Sequence, residues 1–177
     1  RCFFCMSGYP NRCEAVFALD KESRLHNAQG EMIRQGIRTA SFAEEVVVHE
    51  SQLLKIPDDL GMEVAALLAC GVITGAGAVL NTAQVKAGSS VVVIGAGGVG
   101  LNAVQGARIA GAYPIIAVDL LDGKLEAARK FGATHVVNAQ AQDPAKFVME
   151  LTAGRGADYV FVTVGSVKAN EQGLTML

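Results

Sequence analysis

The chain has 177 residues, of which 51% are hydrophobic and 18% charged, with a formal net charge of −2. Such a composition excludes a disordered segment, and the near-neutral charge gives no electrostatic case for a nucleic-acid partner or an anionic membrane surface. No apolar run is read as reaching the length of a membrane span and no signal-peptide layout stands at the start, so a cytoplasmic protein is the expectation.

Taken in order, the chain opens on Cys2, Cys5 and Cys13, a C-x2-C-x7-C spacing in a turn-rich loop with Gly8, Pro10 and Asn11. Three thiolates this close can surround a tetrahedral zinc, but a closed structural site needs a fourth ligand. None follows nearby, and its natural place is just ahead of Arg1. An incidental cluster or a disulfide are the alternatives, the disulfide being disfavoured in a cytosolic protein. Residues 20–36 read as an exposed loop in which His26 is solvated. Residues 42–49 and 53–56 read as two short strands closing a β-rich region, with His49 a polar strand-end residue.

After Pro57, Asp58 and Asp59 introduce an apolar helix from about Met62 to Ala69. It is expected to end in a glycine-rich turn over Cys70–Gly77, with a second helix over 76–86. Read alone, Cys70 is a small buried hydrophobe and Thr74 an ordinary turn hydroxyl.

Val91-Val92-Val93-Ile94 reads as a strand buried on both faces. It breaks into Gly95-Ala96-Gly97-Gly98-Val99-Gly100. Helical spacing follows, with Gly100, Ala103, Val104, Ala107 and Gly111 on one face and Asn102, Gln105 and Arg108 on the other. A second buried run, Ile115 to Val118, ends at Asp119. This is a βαβ unit with a dinucleotide-binding fingerprint: Gly95 for the tight turn, Gly97 for close approach of a pyrophosphate, Gly100 for close packing of helix on strand. The helix start offers free N–H groups to phosphate. Asp119 can accept from adenosine ribose hydroxyls, and no arginine at Leu120 or Leu121 would hold a 2′-phosphate, so NAD is favoured over NADP.

Beyond it, Asp122 is expected to cap a helix stopped by Gly132, and His135–Val137 to form a third strand. Asp143-Pro144 starts another helix that Gly154 closes. Residues 157–164 are expected as a fourth buried strand, and a helix begins at Val167. The fold class is therefore α/β, a doubly wound parallel Rossmann sheet with four of its usual six strands in view. Residues 61–177 form the nucleotide-binding domain, and residues 1–60 belong to a partial, β-rich one.

These pieces together resemble the zinc-dependent alcohol dehydrogenases of the medium-chain dehydrogenase/reductase superfamily. The resemblance rests on the cysteine loop, Ser41-Phe42-Ala43-Glu44, Ile56-Pro57-Asp58-Asp59, Leu68 to Gly75, the Gly95–Gly100 turn, Asp119, and Lys124 with Phe131-Gly132-Ala133-Thr134. Asn102 to Ala107 with Val162 to Gly165 look most like a class III-like, mycofactocin- or nitrosoaniline-associated branch. The resemblance implies a GroES-like catalytic domain for the first part, NAD and zinc as cofactors, and a small alcohol or aldehyde as substrate. It also implies a dimer or tetramer. Cys70 would be a catalytic-zinc ligand and Thr74 would pack against the nicotinamide. Gly98 and Val99 would belong to the phosphate turn, Lys124 would lie near the adenosine ribose, and Val164 and Gly165 would line the adenine side. Cys2, Cys5 and Cys13 would be three of four structural-zinc ligands. The other catalytic-zinc ligands and the proton-relay hydroxyl would belong upstream of Arg1, so the chain alone is expected to bind NAD without turning over alcohol. A zinc-free NAD(P)H-dependent quinone or enone reductase is the enzyme alternative, and a module that only binds NAD is the other.

Overall fold

The computed structural model describes residues 2–15, 22–23, 25–34, 36, 39 and 41–177. The expected loop over 20–36 lies partly outside them. The chain divides into two compact units, Arg1–Pro57 and Asp58–Leu177.

The first unit carries little regular structure. A single helical turn, α1 (Phe3–Met6), is followed by a 3-10 turn at Pro10–Arg12. His26 is exposed and forms an isolated bridge to Met32. The two strands expected over 42–56 are absent: the described backbone there has bends, unpaired extended segments and a 3-10 turn at Glu50–Gln52. Extended backbone becomes a strand only by pairing with a neighbour, and no partner strand lies beside it among the described residues. His49 instead accepts from the Ser51 N–H as the cap of that turn.

The second unit is built on a parallel sheet. Its strands are β1 (Val91–Ile94), β2 (Ile115–Asp119), β3 (His135–Asn138) and β4 (Tyr159–Val162), in the order β3-β2-β1-β4. β1 lies between β2 and β4, with Val91 opposite both Ile115 and Tyr159. Because successive side chains alternate across a strand, Val91 and Val93 enter one core, while Val92 and Ile94 enter the other. Each such side chain removed from water contributes about 1.5–3 kcal/mol.

The first core is covered by α2 (Met62–Thr82), α3 (Gly98–Ile109) and α4 (Asp122–Phe131). On the other face lie α5 (Pro144–Leu151) and the segment carrying α6 (Val167–Leu174) and Met176. Helices on both faces make the sheet doubly wound. β4 is shorter than expected and only half-buried.

Several local expectations are corrected. Cys70–Gly77 is not a turn: α2 runs unbroken through it, with π-helical stretches at Leu68–Val72 and Ala78–Thr82. Contrary to the expectation that no apolar run reaches that length, α2 at 21 residues is apolar and long enough to cross a membrane by length and composition. One face packs on α3 through Gly75 and Gly106, while only 11% of its most apolar 18-residue window is buried. Gly111 is not on the buried face of α3 but exposed beyond its end, at φ +74°. Asp122 does not cap α4; Leu121 holds that position, and the Asp122 carboxylate accepts from Asn138 Nδ2 at 2.7 Å. Gly132 does end α4, at φ +117°.

Candidate functional site

The carboxyl end of β1 carries the glycine turn. Gly95 sits at φ +99°, where a Cβ would meet Val164 Cγ1 at 2.5 Å and Thr163 Oγ1 at 2.8 Å. A Cβ on Gly100 would run into the Gly95 carbonyl oxygen, so α3 can approach β1 only with glycine there. Gly97 and Gly98 differ: a Cβ on either meets nothing within 4 Å. The approach expected for a pyrophosphate is open. Gly97 caps α3 without a side-chain hydrogen bond, and Leu101 is the first residue whose N–H closes onto the turn, at 2.8 Å from the Gly97 carbonyl. The N–H groups of Gly98, Val99 and Gly100 have no partner within the helix.

Asp119 stands beside this turn at the end of β2, its side chain only 8% exposed. Oδ2 accepts from the Ala96 N–H at 2.8 Å, and Oδ1 from Leu120 and Leu121 N–H at 2.8 and 3.1 Å. A carboxylate has about four acceptor sites, so three serve the protein's own backbone. The Lys124 ammonium lies 4.0 Å from Oδ2. At the end of β4, Val164 packs on Gly95 while Gly165 is open to solvent.

Cys70 and Thr74 lie four residues apart on α2, a spacing that brings them to one side of a helix, and both are exposed. The next residue, Gly75, is buried where α2 crosses the first turn of α3. A Cβ on it would overlap the Val99 carbonyl and come within 2.7 Å of Asn102 Cβ. The segment bearing Cys70 and Thr74 is thereby held against the helix of the glycine turn. Among the described residues Cys70 belongs to no group of potential metal ligands.

The cysteine loop gathers as expected. α1 sets Cys2 and Cys5 one turn apart, and the Sγ atoms of Cys2, Cys5 and Cys13 lie within 4.8 Å of one another. Cys2 Sγ and Cys5 Sγ are 3.8 Å apart, and all four cysteines are free thiols. The Glu14 N–H points at Cys2 and lowers its pKa to about 7, whereas hydrogen bonding with Cys13 and Cys2 raises Cys5 to about 11. Three sulfurs at this spacing suit one zinc, with bonds of about 2.3 Å; no fourth ligand joins them among the described residues.

Some residues escaped the sequence reading. Thr163 Oγ1 lies 2.9 Å from the Gly95 carbonyl and 3.1 Å from that of Ile94. Ser90 and Asp158 tie the starts of β1 and β4, with Asp158 Oδ2 accepting from both the Ser90 N–H and hydroxyl at 2.7 Å. Gly75 carried a signal in its small neighbours Ala76 and Gly77. Thr163, between two valines at a strand end, carried none.

Residues 98–177 match the zinc-binding dehydrogenase family. Along its whole length the chain is similar to alcohol dehydrogenases of that kind. It is 39% identical over 180 residues to the S-(hydroxymethyl)glutathione dehydrogenase of Saccharomyces cerevisiae, covering 95% of this chain and 46% of that one. The enzyme of the same name from Synechocystis is 41% identical over 182 residues, covering 98% and 49%. Among solved structures, benzyl alcohol dehydrogenase from Acinetobacter calcoaceticus superposes with a TM-score of 0.87 at 35% identity, over 100% of this chain and 49% of that one. An alcohol dehydrogenase zinc-binding domain protein from Burkholderia ambifaria gives 0.89 at 37% identity, covering 100% and 50%. The chain spans about half the length of the curated relatives it matches.

Proposed function

We propose that the chain contributes the NAD-binding half of an enzyme that oxidises an alcohol to an aldehyde or ketone, and runs the reverse reaction. The observation that carries this is Asp119, nearly buried and hydrogen-bonded to the glycine turn at the end of β2. The free N–H groups at the start of α3 and the open space at Gly97 and Gly98 bind the pyrophosphate. Asp119 accepts from the adenosine ribose through its remaining acceptor site, and its charge repels a 2′-phosphate. Lys124 stands near that ribose, Val164 and Gly165 bound the adenine side, and Thr74 packs against the nicotinamide. Cys2, Cys5 and Cys13 hold a structural zinc together with a fourth ligand, and Cys70 is one ligand of the catalytic zinc. When bound, NAD accepts the hydride and zinc polarises the alcohol oxygen. The protein's own part is orientation: α2, crossing α3 at Gly75, fixes the separation of Thr74 from the phosphate turn. We further propose a cytoplasmic homo-oligomer, a dimer or tetramer.

The test is a titration with NADH and NADPH, followed by their fluorescence, on the protein and its Asp119→Asn variant. The expected result is an NADH preference of at least about tenfold, or about 1.4 kcal/mol, that shrinks in the variant. Equal or tighter binding of NADPH by the unsubstituted protein would overturn the NAD reading in favour of the reductase.

A further inference from the structure

We infer that Thr163 is a positioning residue of the dinucleotide turn, clamping jointly with Asp119 the single peptide unit between Gly95 and Ala96. The inference rests on the NAD-binding proposal and adds a residue outside the glycine fingerprint to it.

A peptide unit is planar, so its carbonyl and the following N–H point to opposite sides and turn together. Here both ends are held, and by different strands. The Gly95 carbonyl accepts from Thr163 Oγ1, at the end of β4, at 2.9 Å. The Ala96 N–H donates to Asp119 Oδ2, at the end of β2, at 2.8 Å. Gly95 and Ala96 are both buried, where an unpaired carbonyl is costly.

The hydroxyl has one proton and two carbonyls within reach. Ile94 does not depend on it, because its carbonyl already accepts the Thr163 backbone N–H at 2.9 Å. Gly95 does: among the described residues no other donor reaches its oxygen. Glycine's wide conformational range at this position leaves the peptide free to rotate unless its ends are fixed. A rotation that swings the Gly95 oxygen off β4 also pulls the Ala96 N–H off Asp119. It thereby disturbs the ribose acceptor and the backbone leading to Gly97 together. One hydroxyl just past the end of β4 thus keeps the phosphate-facing and ribose-facing parts of the site in register.

The test compares Thr163→Val, which keeps the side-chain shape and removes the hydroxyl, with Thr163→Ser, which keeps the hydroxyl. Two measurements are made on each. The first is hydrogen exchange of the Ala96 amide in the ligand-free protein. The second is binding of NADH, by its fluorescence, and of adenosine, by competition. Losing one net hydrogen bond of about 0.5–1.5 kcal/mol corresponds to roughly two- to tenfold in an equilibrium constant. The valine variant is expected to exchange the Ala96 amide faster by about that factor and to bind NADH correspondingly more weakly. Adenosine, which has no phosphate to place, is expected to lose less, and serine is expected to restore both readouts. Unchanged Ala96 exchange and NADH affinity in the valine variant would overturn the inference, as would equal losses for NADH and adenosine. If the unsubstituted protein itself binds no NADH, the NAD proposal falls and the role of Thr163 with it.

Discussion

The crossing of α2 over α3 gives a paired prediction of opposite sign. Gly75 is buried at the crossing, and a Cβ there would overlap the Val99 carbonyl while lying 2.7 Å from Asn102 Cβ and 2.8 Å from the Ala103 nitrogen. Two of these three atoms are backbone, so the clash is not relieved by a rotamer change; the helices must part. Overpacking of this kind costs about 1–3 kcal/mol, whereas alanine in place of a helical glycine returns about 1 kcal/mol of propensity. Gly75→Ala is therefore expected to destabilise by up to about 2 kcal/mol. Gly71 lies one turn earlier on the same helix, and a Cβ there meets nothing within 4 Å. Gly71→Ala carries only the propensity gain and is expected to stabilise by about 0.5–1 kcal/mol. Urea unfolding followed by far-UV circular dichroism measures both. A thermal scan should show the two variants displaced in opposite directions, by about 2–4 °C per kcal/mol for a chain of this size. Because the strained contact is with the first turn of α3, Gly75→Ala is also expected to weaken NADH binding, with Gly71→Ala unchanged. Equal stability of the two variants would refute the close-approach reasoning.

Two further outcomes follow from the geometry. With zinc added, Cys2, Cys5 and Cys13 are expected to resist alkylation as a group, and Cys13→Ser to expose Cys2 and Cys5 together; mass spectrometry of the labelled protein reads this, and independent labelling of the three would count against a shared ion. Asp158 is held below the usual carboxylate range chiefly by the Ser90 backbone N–H, and then by the Ser90 hydroxyl. A depressed carboxylate adds stability above its unfolded pKa, about 3.9, and loses it as pH falls through the folded value. Stability should therefore drop more steeply on acidification below about pH 4 in the unsubstituted protein than in Asp158→Asn, and parallel curves would rule out this contribution.

The βαβ core was legible because its signals are local and redundant. A run of four β-branched residues, a glycine turn and an acid at the next strand end each restrict the backbone, and they agree. α2 was misread because glycine is a weak breaker: Gly71, Gly75 and Gly77 looked like punctuation, while Gly75 is in fact a packing residue whose reason lies on another helix. Asp122 looked like a cap, but Asn138 on β3 claims its carboxylate, and no local pattern announces a partner that distant. Thr163 was invisible for the same reason. The strands expected over 42–56 show the converse, since alternation proposes a strand and only a paired neighbour makes one.

The clamped peptide between Gly95 and Ala96 also has an order of assembly. Its Asp119 contact spans 23 residues and its Thr163 contact 68. Closing the longer loop costs about 1 kcal/mol more in chain entropy, from (3/2)RT ln of the length ratio. The β1-α3-β2 crossover can therefore form and hold the N–H side early, while the carbonyl side waits for β4 to dock. Newly made chains would acquire the fingerprint before they acquire its final shape, so competence to bind the dinucleotide should mark the docking of β4 rather than the pairing of β1 with β2.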